Sequence, residues 1–407
     1  MDTPKGFRLH IGIFGRRNVG KSSLLNALTR QESSIVSNVA GTTTDPVEKP
    51  MELLPIGPVL FIDTAGIDDL GTLGQLRIQK TKQVFDRTEI GILVVDSLAG
   101  WGDFEESILD ELSARKIPFV VVFNKSDLSA ADPMLVGRFD SQKIPYICAT
   151  FTRSEGILQL RDKLIMLVPD EFLEPPPIVS DLIPPGDLAI LVVPIDKEAP
   201  KGRLILPQVQ TIRDILDGDR YCIVVKEDKL TEAILRLNRP PALIVTDSQA
   251  FANVNALVPR SIPLTSFSIL FARQKGDFKS LLEGAKSIAN LTPQSRVLIA
   301  ESCSHHPIGE DIGTVKIPAM LRKYVGDSLE IAHVQGHDFP GETLSEWDLV
   351  IHCGACMWNR REMLSRIFHC REAGIPITNY GLAIAFVLGI LDRATEPINP
   401  SRTENSA

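Results

Sequence analysis

"GRRNVGKS", residues 15 to 22, follows the apolar run "LHIGIF" and precedes the amphipathic stretch "SSLLNALTR". A Gly-x-x-x-x-Gly-Lys-Ser element between a predicted strand and a predicted helix is a phosphate-binding loop, because successive main-chain amides can wrap an anion at a helix N-terminus. Gly15 and Gly20 permit the tight curl, with Asn18 and Val19 between them. Lys21 is placed to reach β and γ phosphates, Ser22 to hold Mg2+, and Ser23 continues the first helical turn.

Two further elements follow in order, each at the end of an apolar run. "FIDTAG", residues 61 to 66, offers Asp63 as an acceptor on the metal side and Gly66 as an amide near the γ phosphate. "FNKSD", residues 123 to 127, places Asn124, Lys125 and Asp127 after "IPFVVV". An Asp carboxylate accepts from both the N1–H and the exocyclic amine of guanine, a pairing that adenine cannot reproduce. Strand candidates "LHIGIFG", "PVLFIDT", "IGILVVD", "IPFVVVFN" and "IPYICAT" alternate with the helical patterns "FEESILDELSARK" and "EGILQLRDKLIMLV". The alternation predicts an α/β fold in which a mostly parallel sheet carries its loops along one ligand-binding edge.

Residues 7 to 168 resemble the translation-factor-related GTPases, especially their tRNA-modification and ribosome-assembly branch. The resemblance implies that "GTTTD", residues 41 to 45, is switch I with Thr43 on Mg2+, and that Ala149 in "CATFT" lines the guanine pocket. Ras-like enzymes orient the attacking water with a Gln just after the Gly of the second element. Here Ile67 stands in that place and the next Gln is Gln75, so slow intrinsic turnover is expected. Asn18 matches the Asn with which some GTPases carrying this apolar replacement bind K+, and K+-stimulated hydrolysis follows as an expectation.

At 407 residues, with 44% hydrophobic and 23% charged residues, the chain has the composition of a globular protein of two or three domains. Its formal charge of -8 argues against broad binding to a nucleic-acid backbone. No apolar run reaches the ~20 residues that span a bilayer. The opening "MDTPKGFRLHIGIFG" lacks a secretory pattern, and six cysteines are few, so a cytoplasmic location is expected. Proline-rich "PDEFLEPPPIVSDLIPPGD" marks a boundary. The expected divisions are a nucleotide-binding domain at 1–170, a linker at 171–185, a small α/β domain at 186–270, a second at 271–395 and a polar tail at 396–407.

The middle segment, with "LAILVVPI", "RYCIVVK" and "PALIVTD", carries no catalytic constellation and reads as an interaction or dimerisation module. The third is different. "RVLIAESCSHHPIG" sets Cys303, His305 and His306 beyond one strand, and "WDLVIHCGACMW" sets His352, Cys353 and Cys356 at the end of another. Such strand ends can converge on one centre. Three thiols and neighbouring imidazoles admit a thiol redox pair, a Cys3His zinc site or a 4Fe-4S cluster with one open iron. Cys370 in a helical stretch and Cys222 in an apolar strand read as packed thiols.

The combination resembles the [FeFe]-hydrogenase maturation GTPases, the HydF family, over nearly the whole chain. It rests on the GTPase elements followed by Cys303-x-His305 and, far downstream, His352-Cys353-x-x-Cys356. The resemblance implies GTPase, dimerisation and cluster-binding domains. It implies that Cys303, Cys353 and Cys356 ligate a 4Fe-4S cluster, with His305 or His352 at the labile fourth position. It also implies a homodimeric scaffold that receives a di-iron precursor from radical-SAM maturation enzymes and delivers it to apo-[FeFe]-hydrogenase. The rival is a GTPase of tRNA modification or ribosome assembly with a C-terminal structural zinc domain.

Overall fold

The computed structural model describes residues 3–30, 46–64, 81–194, 204–302, 311–340 and 343–398, which fall into two compact units, Met1–Pro175 and Pro176–Ala407. Among these residues, no helix is long and apolar enough to cross a membrane.

The first unit is built on a six-stranded sheet. Its strands are β1 (Leu9–Phe14), β2 (Val47–Leu53), β3 (Gly57–Asp63), β4 (Ile90–Asp96), β5 (Phe119–Asn124) and β6 (Tyr146–Cys148), in the order β2-β3-β1-β4-β5-β6. β1 is fully buried between β3 and β4, which is why its sequence is a nearly unbroken apolar run. Ile11 and Ile13 face α1 (Lys21–Arg30) and pack with Leu24 and Leu28. Phe14 points the other way, into a core with Leu109 and Leu112 of α2 (Asp103–Ala114) and Phe139 of α3 (Pro133–Gln142). α4 (Ile157–Met166) adds Leu160 and Leu164 to the α1 side. The pattern is that of a P-loop GTPase domain with helices on both faces of a mostly parallel sheet. β2, which the strand pattern does not reveal, pairs antiparallel with β3 at the edge. Its "VEKPMEL" is half polar and contains Pro50, features an edge strand tolerates.

The second unit holds two four-stranded parallel sheets. The first contains β7 (Leu188–Val192), α5 (Leu206–Asp217), β8 (Tyr221–Val225), α6 (Leu230–Leu235), β9 (Leu243–Thr246), α7 (Phe251–Leu257) and β10 (Leu264–Ser266), in strand order β10-β9-β7-β8. After α8 (Phe267–Lys275) and α9 (Phe278–Lys286) come β11 (Arg296–Glu301), α10 (Ile317–Val325), β12 (Glu330–Gln335), β13 (Leu349–His352), α11 (Arg360–Glu372), β14 (Ile377–Asn379) and α12 (Tyr380–Val387). Their strand order is β12-β11-β13-β14.

The two sheets share a core in which Ile190, Val192 and Ile244 join Leu298, Ala300 and Val350. α8 is part of both halves. Phe267, Leu270 and Phe271 pack with Leu191 and Val245, while Ile269 and Ala272 enter the shared core. The expected division at 270/271 therefore falls inside a packed helix. The proline-rich stretch also divides: the unit boundary lies at Pro175, but Ile178, Val179 and Ile183 are buried in the second unit. Asp214 anchors them by accepting from the amides of Ile178, Val179 and Ser180 at 3.1, 2.8 and 2.7 Å.

Candidate functional site

In the first unit the loop between β1 and α1 takes the conformation that its glycines allow. Gly15 has φ +144° and Gly20 φ +102°, and a Cβ on either would lie 2.4 Å from the Val94 carbonyl or 2.2 Å from Asn124 Nδ2. Asn18 is exposed with φ 63°, a left-handed conformation that Asn tolerates. Val19 is buried in the core beneath the loop, and Ser22 is exposed at the start of α1 beside half-buried Ser23. The buried Lys21 ammonium donates to the carbonyls of Gly15 and Arg16 at 2.6 and 2.7 Å, so the charge is held under the loop. Arg16 is clamped by a bidentate pair with Glu105 of α2, both contacts 2.8 Å. That clamp was not legible in sequence, because 89 residues separate the partners.

The guanine-side elements are tied to the phosphate loop. Asn124 Nδ2 donates to the Val19 carbonyl at 2.8 Å, and its Oδ1 accepts from Phe151 N at 3.3 Å. Asn124 thus spends its amide on bracing two loops. Ala149 is buried next to it, its N–H donating to the Phe123 carbonyl at 2.8 Å while its carbonyl accepts from Ser126 N at 3.1 Å. Asp127 receives a long 3.4 Å contact from Thr150 Oγ1 and lies 3.6 Å from Arg153, leaving acceptor capacity for a base edge. Lys125, at φ 60°, is held by Asp96 at 2.5 Å.

Asp63 ends β3 with its Oδ1 buried and without a hydrogen-bond partner among the described residues. Burial pushes its carboxyl up to about 6, against the pull of Lys21 and Lys49. A buried carboxylate oxygen without a partner, on the same sheet edge as the Ser22 hydroxyl, fits a hydrated Mg2+ beside phosphate. Thr64 fixes the strand end by donating through Oγ1 to the Ile13 carbonyl at 2.8 Å. Thr43 and Gly66 lie outside the described residues.

The second unit's chemistry lies where its C-terminal sheet reverses strand order. β12 is added on one side of β11 and β13 on the other, so the C-terminal ends of β11 and β13 form the switch point at which sheets of this kind have their ligand crevice. Cys353 N extends the ladder to the Ala300 carbonyl at 2.9 Å, and its Sγ lies 3.1 Å from both Ser302 N and Ser302 Oγ. Ala355, buried at φ 50°, turns the chain so that Cys356 follows. Burial and Cys353 push the Cys356 thiol up, while Lys275 and the amides of Cys356 and Met357 oppose them. Cys303 and His305, the other sequence candidates, lie outside the described residues, Cys303 being the next residue after Ser302. Among the described residues, no group of three or more His, Cys, Asp or Glu is placed to hold a metal ion. The donor chemistry nevertheless fits a thiolate-held centre, with two sulfurs and backbone amides directed at each.

His352 faces away from that crevice. It is completely buried; Nδ1 must carry the proton it donates to the Cys353 carbonyl at 2.8 Å, and Nε2 accepts from Arg366 Nη1 at 3.0 Å. Burial and Arg366 push it down to about 3, with the Cys353 carbonyl opposing. Arg366 also donates to the Gly336 carbonyl at 2.6 Å and lies over the Trp358 ring at 4.0 Å. Glu301 is likewise engaged, by Tyr380 OH at 2.9 Å and Gln335 Nε2 at 3.1 Å. Asp311 accepts from the amide and hydroxyl of Thr314 at 2.6 and 2.9 Å. Cys370 is buried in the core, which pushes its thiol up to about 12.

Lys275 is the residue here that sequence reading misses. Only 5% exposed, it donates to the carbonyls of Ala355, Cys356 and Trp358 at 2.9, 3.2 and 2.7 Å. Burial pushes it down to about 8, and Cys356 and Cys353 hold it up. A lysine preceding a glycine reads as an ordinary helix end.

A family model described as the hydrogen maturase F dimerization domain matches residues 178–276, and one described as the hydrogen maturase F tetramerization domain matches 279–397. The 50S ribosome-binding GTPase model matches residues 10–125. Curated relatives include the tRNA modification GTPase MnmE of Synechococcus sp. (strain JA-3-3Ab), 38% identical over 39% of this chain and 33% of its own length. GTPase Der of Campylobacter jejuni is 39% identical over 30% of this chain and 27% of its own. The match thus spans about a third or less of these relatives. Among solved structures, a variant of Era from Aquifex aeolicus bound to GDP.AlF4- aligns at 20% identity and TM-score 0.34, covering 53% of this chain and 93% of that one. The two maturase models together cover more than half of the sequence and the GTPase model precedes them, so the chain belongs to the hydrogen maturase F family.

Proposed function

We propose that this protein is a GTP-hydrolysing scaffold that holds a 4Fe-4S cluster and delivers a di-iron precursor to apo-[FeFe]-hydrogenase. One observation carries the reading: a P-loop GTPase domain shares a chain with the maturase models and with Cys353 and Cys356 at a switch-point crevice. In this reading GTP and Mg2+ bind through Gly15, Lys21, Ser22, Asp63, Asn124 and Asp127, with Thr43 and Gly66 completing the γ-phosphate side. Asn18 places K+ beside the phosphates, and turnover is slow because Ile67, not a Gln, follows Gly66.

Cys303 joins Cys353 and Cys356 as the third thiolate. When bound, the cluster supplies an open iron at which cargo or an exchangeable ligand can attach. The enclosure of His352 by Arg366 and the Cys353 carbonyl favours His305 or an external ligand at that position. Radical-SAM enzymes supply the precursor in a reducing cytoplasm. Dimerisation uses β8, an edge strand that exposes Tyr221 and Val224. Nucleotide state acts through residues 41 to 45 and 63 to 70 on docking with partners.

The similarity to tRNA-modification GTPases covers 39% of the chain and leaves the thiol crevice unexplained. Activation of apo-hydrogenase by Lys21→Ala and by Cys353→Ala tests the proposal. Both variants should fail to activate, the first with its cluster intact. Normal activation by either removes the corresponding half of the reading.

A further inference from the structure

We infer that Lys275 is the positioning residue of the thiol crevice, holding the Cys353–Cys356 loop in its bonded form and placing a positive charge beside a thiolate-bound cluster. The inference rests on the cluster reading proposed above and assigns a residue outside the Cys and His set.

The geometry is specific. Three carbonyls of one loop, Ala355, Cys356 and Trp358, converge on a single ammonium within 3.2 Å, which matches the three donors a lysine has. Lys275 is 5% exposed, and its ammonium lies 5.9 Å from the centroid of the Phe271 ring. Its stem ends α8, whose other end is also fixed to the same half of the unit. There Ser268 accepts from Gly381 N at 3.1 Å and from Asn379 Nδ2 at 2.8 Å through its carbonyl. A helix pinned at both ends gives the ammonium a fixed place, and a buried charge needs a counter-charge. The groups that interact electrostatically with Lys275 are Cys356 and Cys353, on the loop whose carbonyls it binds.

A cluster carried by three thiolates is more negative when reduced, so a fixed cation nearby stabilises the reduced form and raises its potential. Its three hydrogen bonds fix the loop independently of any metal. Lysine is therefore expected to show two separable effects, one on loop order and one on redox poise.

The test compares wild type with Lys275→Met and Lys275→Gln, each full length. In the metal-free proteins, amide hydrogen exchange at residues 355–358 should speed at least about tenfold in both variants, while β11 and β13 stay within about twofold. After anaerobic reconstitution with ferrous iron and sulfide, a redox titration followed by EPR should give a lower midpoint potential in both variants. Iron loss to a chelator should be several-fold faster. Wild-type protein that takes up no reducible centre refutes the cluster reading, and the exchange data then decide the loop role alone. Wild-type protein that takes one up, with variants unchanged in potential, iron retention and exchange, refutes the assignment of Lys275. Should Met prevent folding, judged by loss of β11 protection, the Gln variant, which keeps donors without charge, carries the comparison.

Discussion

The Sγ of Cys353 lies 3.1 Å from both the amide nitrogen and the hydroxyl of Ser302, so the ends of β13 and β11 are joined through a sulfur. Ser302→Ala removes one donor and keeps the other. A net hydrogen bond contributes about 1 kcal/mol, so iron should leave the reconstituted variant about fivefold faster in a chelator assay, with GTP turnover unchanged. Iron loss at the wild-type rate would show that the hydroxyl does not support the thiolate.

Gly20 and Asn124 define how close the phosphate loop comes to the guanine-side strand. A methyl at position 20 would lie 2.2 Å from Asn124 Nδ2 on a backbone at φ +102°. Gly20→Ala should therefore lower GDP affinity at least about tenfold, since strained backbone and displaced contacts cost roughly 1–3 kcal/mol each. Fluorescent-GDP titration measures it, and wild-type affinity would mean that the loop is free to open without loss.

Asn18 sits exposed at φ 63° on the phosphate loop. If its side chain holds K+ beside the phosphates, GTP turnover in KCl should exceed that in NaCl at equal ionic strength, and Asn18→Ala should erase the difference. Equal rates in the two salts would contradict the role.

Glu48 on β2 pairs with Arg87 at 2.6 Å and with Lys5. Burial alone would raise its carboxyl, but Arg87 and Lys5 together bring it from 4.5 down to about 2. A folded value below the unfolded one means that the stabilisation is present above pH 4.5 and is lost as pH falls from 4.5 towards 2. After discounting for partial exposure, the contribution near neutrality is about 1–2 kcal/mol. Glu48→Gln should speed hydrogen exchange of β3 amides near pH 7, with the gap closing under acid. A gap that persists unchanged under acid would assign the effect to packing.

The buried parallel strands were legible because strands covered on both faces are written as apolar runs, and because Gly15, Lys21, Asp63 and Asp127 fall at their ends. β12, "EIAHVQ", was not, since it is an edge strand with no buried residue and so carries no unbroken apolar run. That β11 and β13 lie side by side was readable from the α/β pattern, and the two strands pair directly, while Cys303 lies outside the described residues. The place of His352 was harder to read. It adjoins Cys353 in sequence, but consecutive strand residues point to opposite faces, so the imidazole goes to Arg366 and the thiol to Ser302. Lys275 and Arg366 escape notice for a different reason. Their burial is set by chain segments outside their own helices, and a charged residue on a helix ordinarily reads as solvated.

The proposed scaffold role stands or falls with iron and sulfide in the second unit. The direct measurement is iron, sulfide and zinc content of anaerobically purified, reconstituted protein, with EPR of the dithionite-reduced form. Iron and sulfide are expected in about equal amounts, near four of each per chain as a cubane requires, with a reducible paramagnetic signal lost in Cys353→Ala. One zinc per chain and no reducible iron signal would contradict the proposed role.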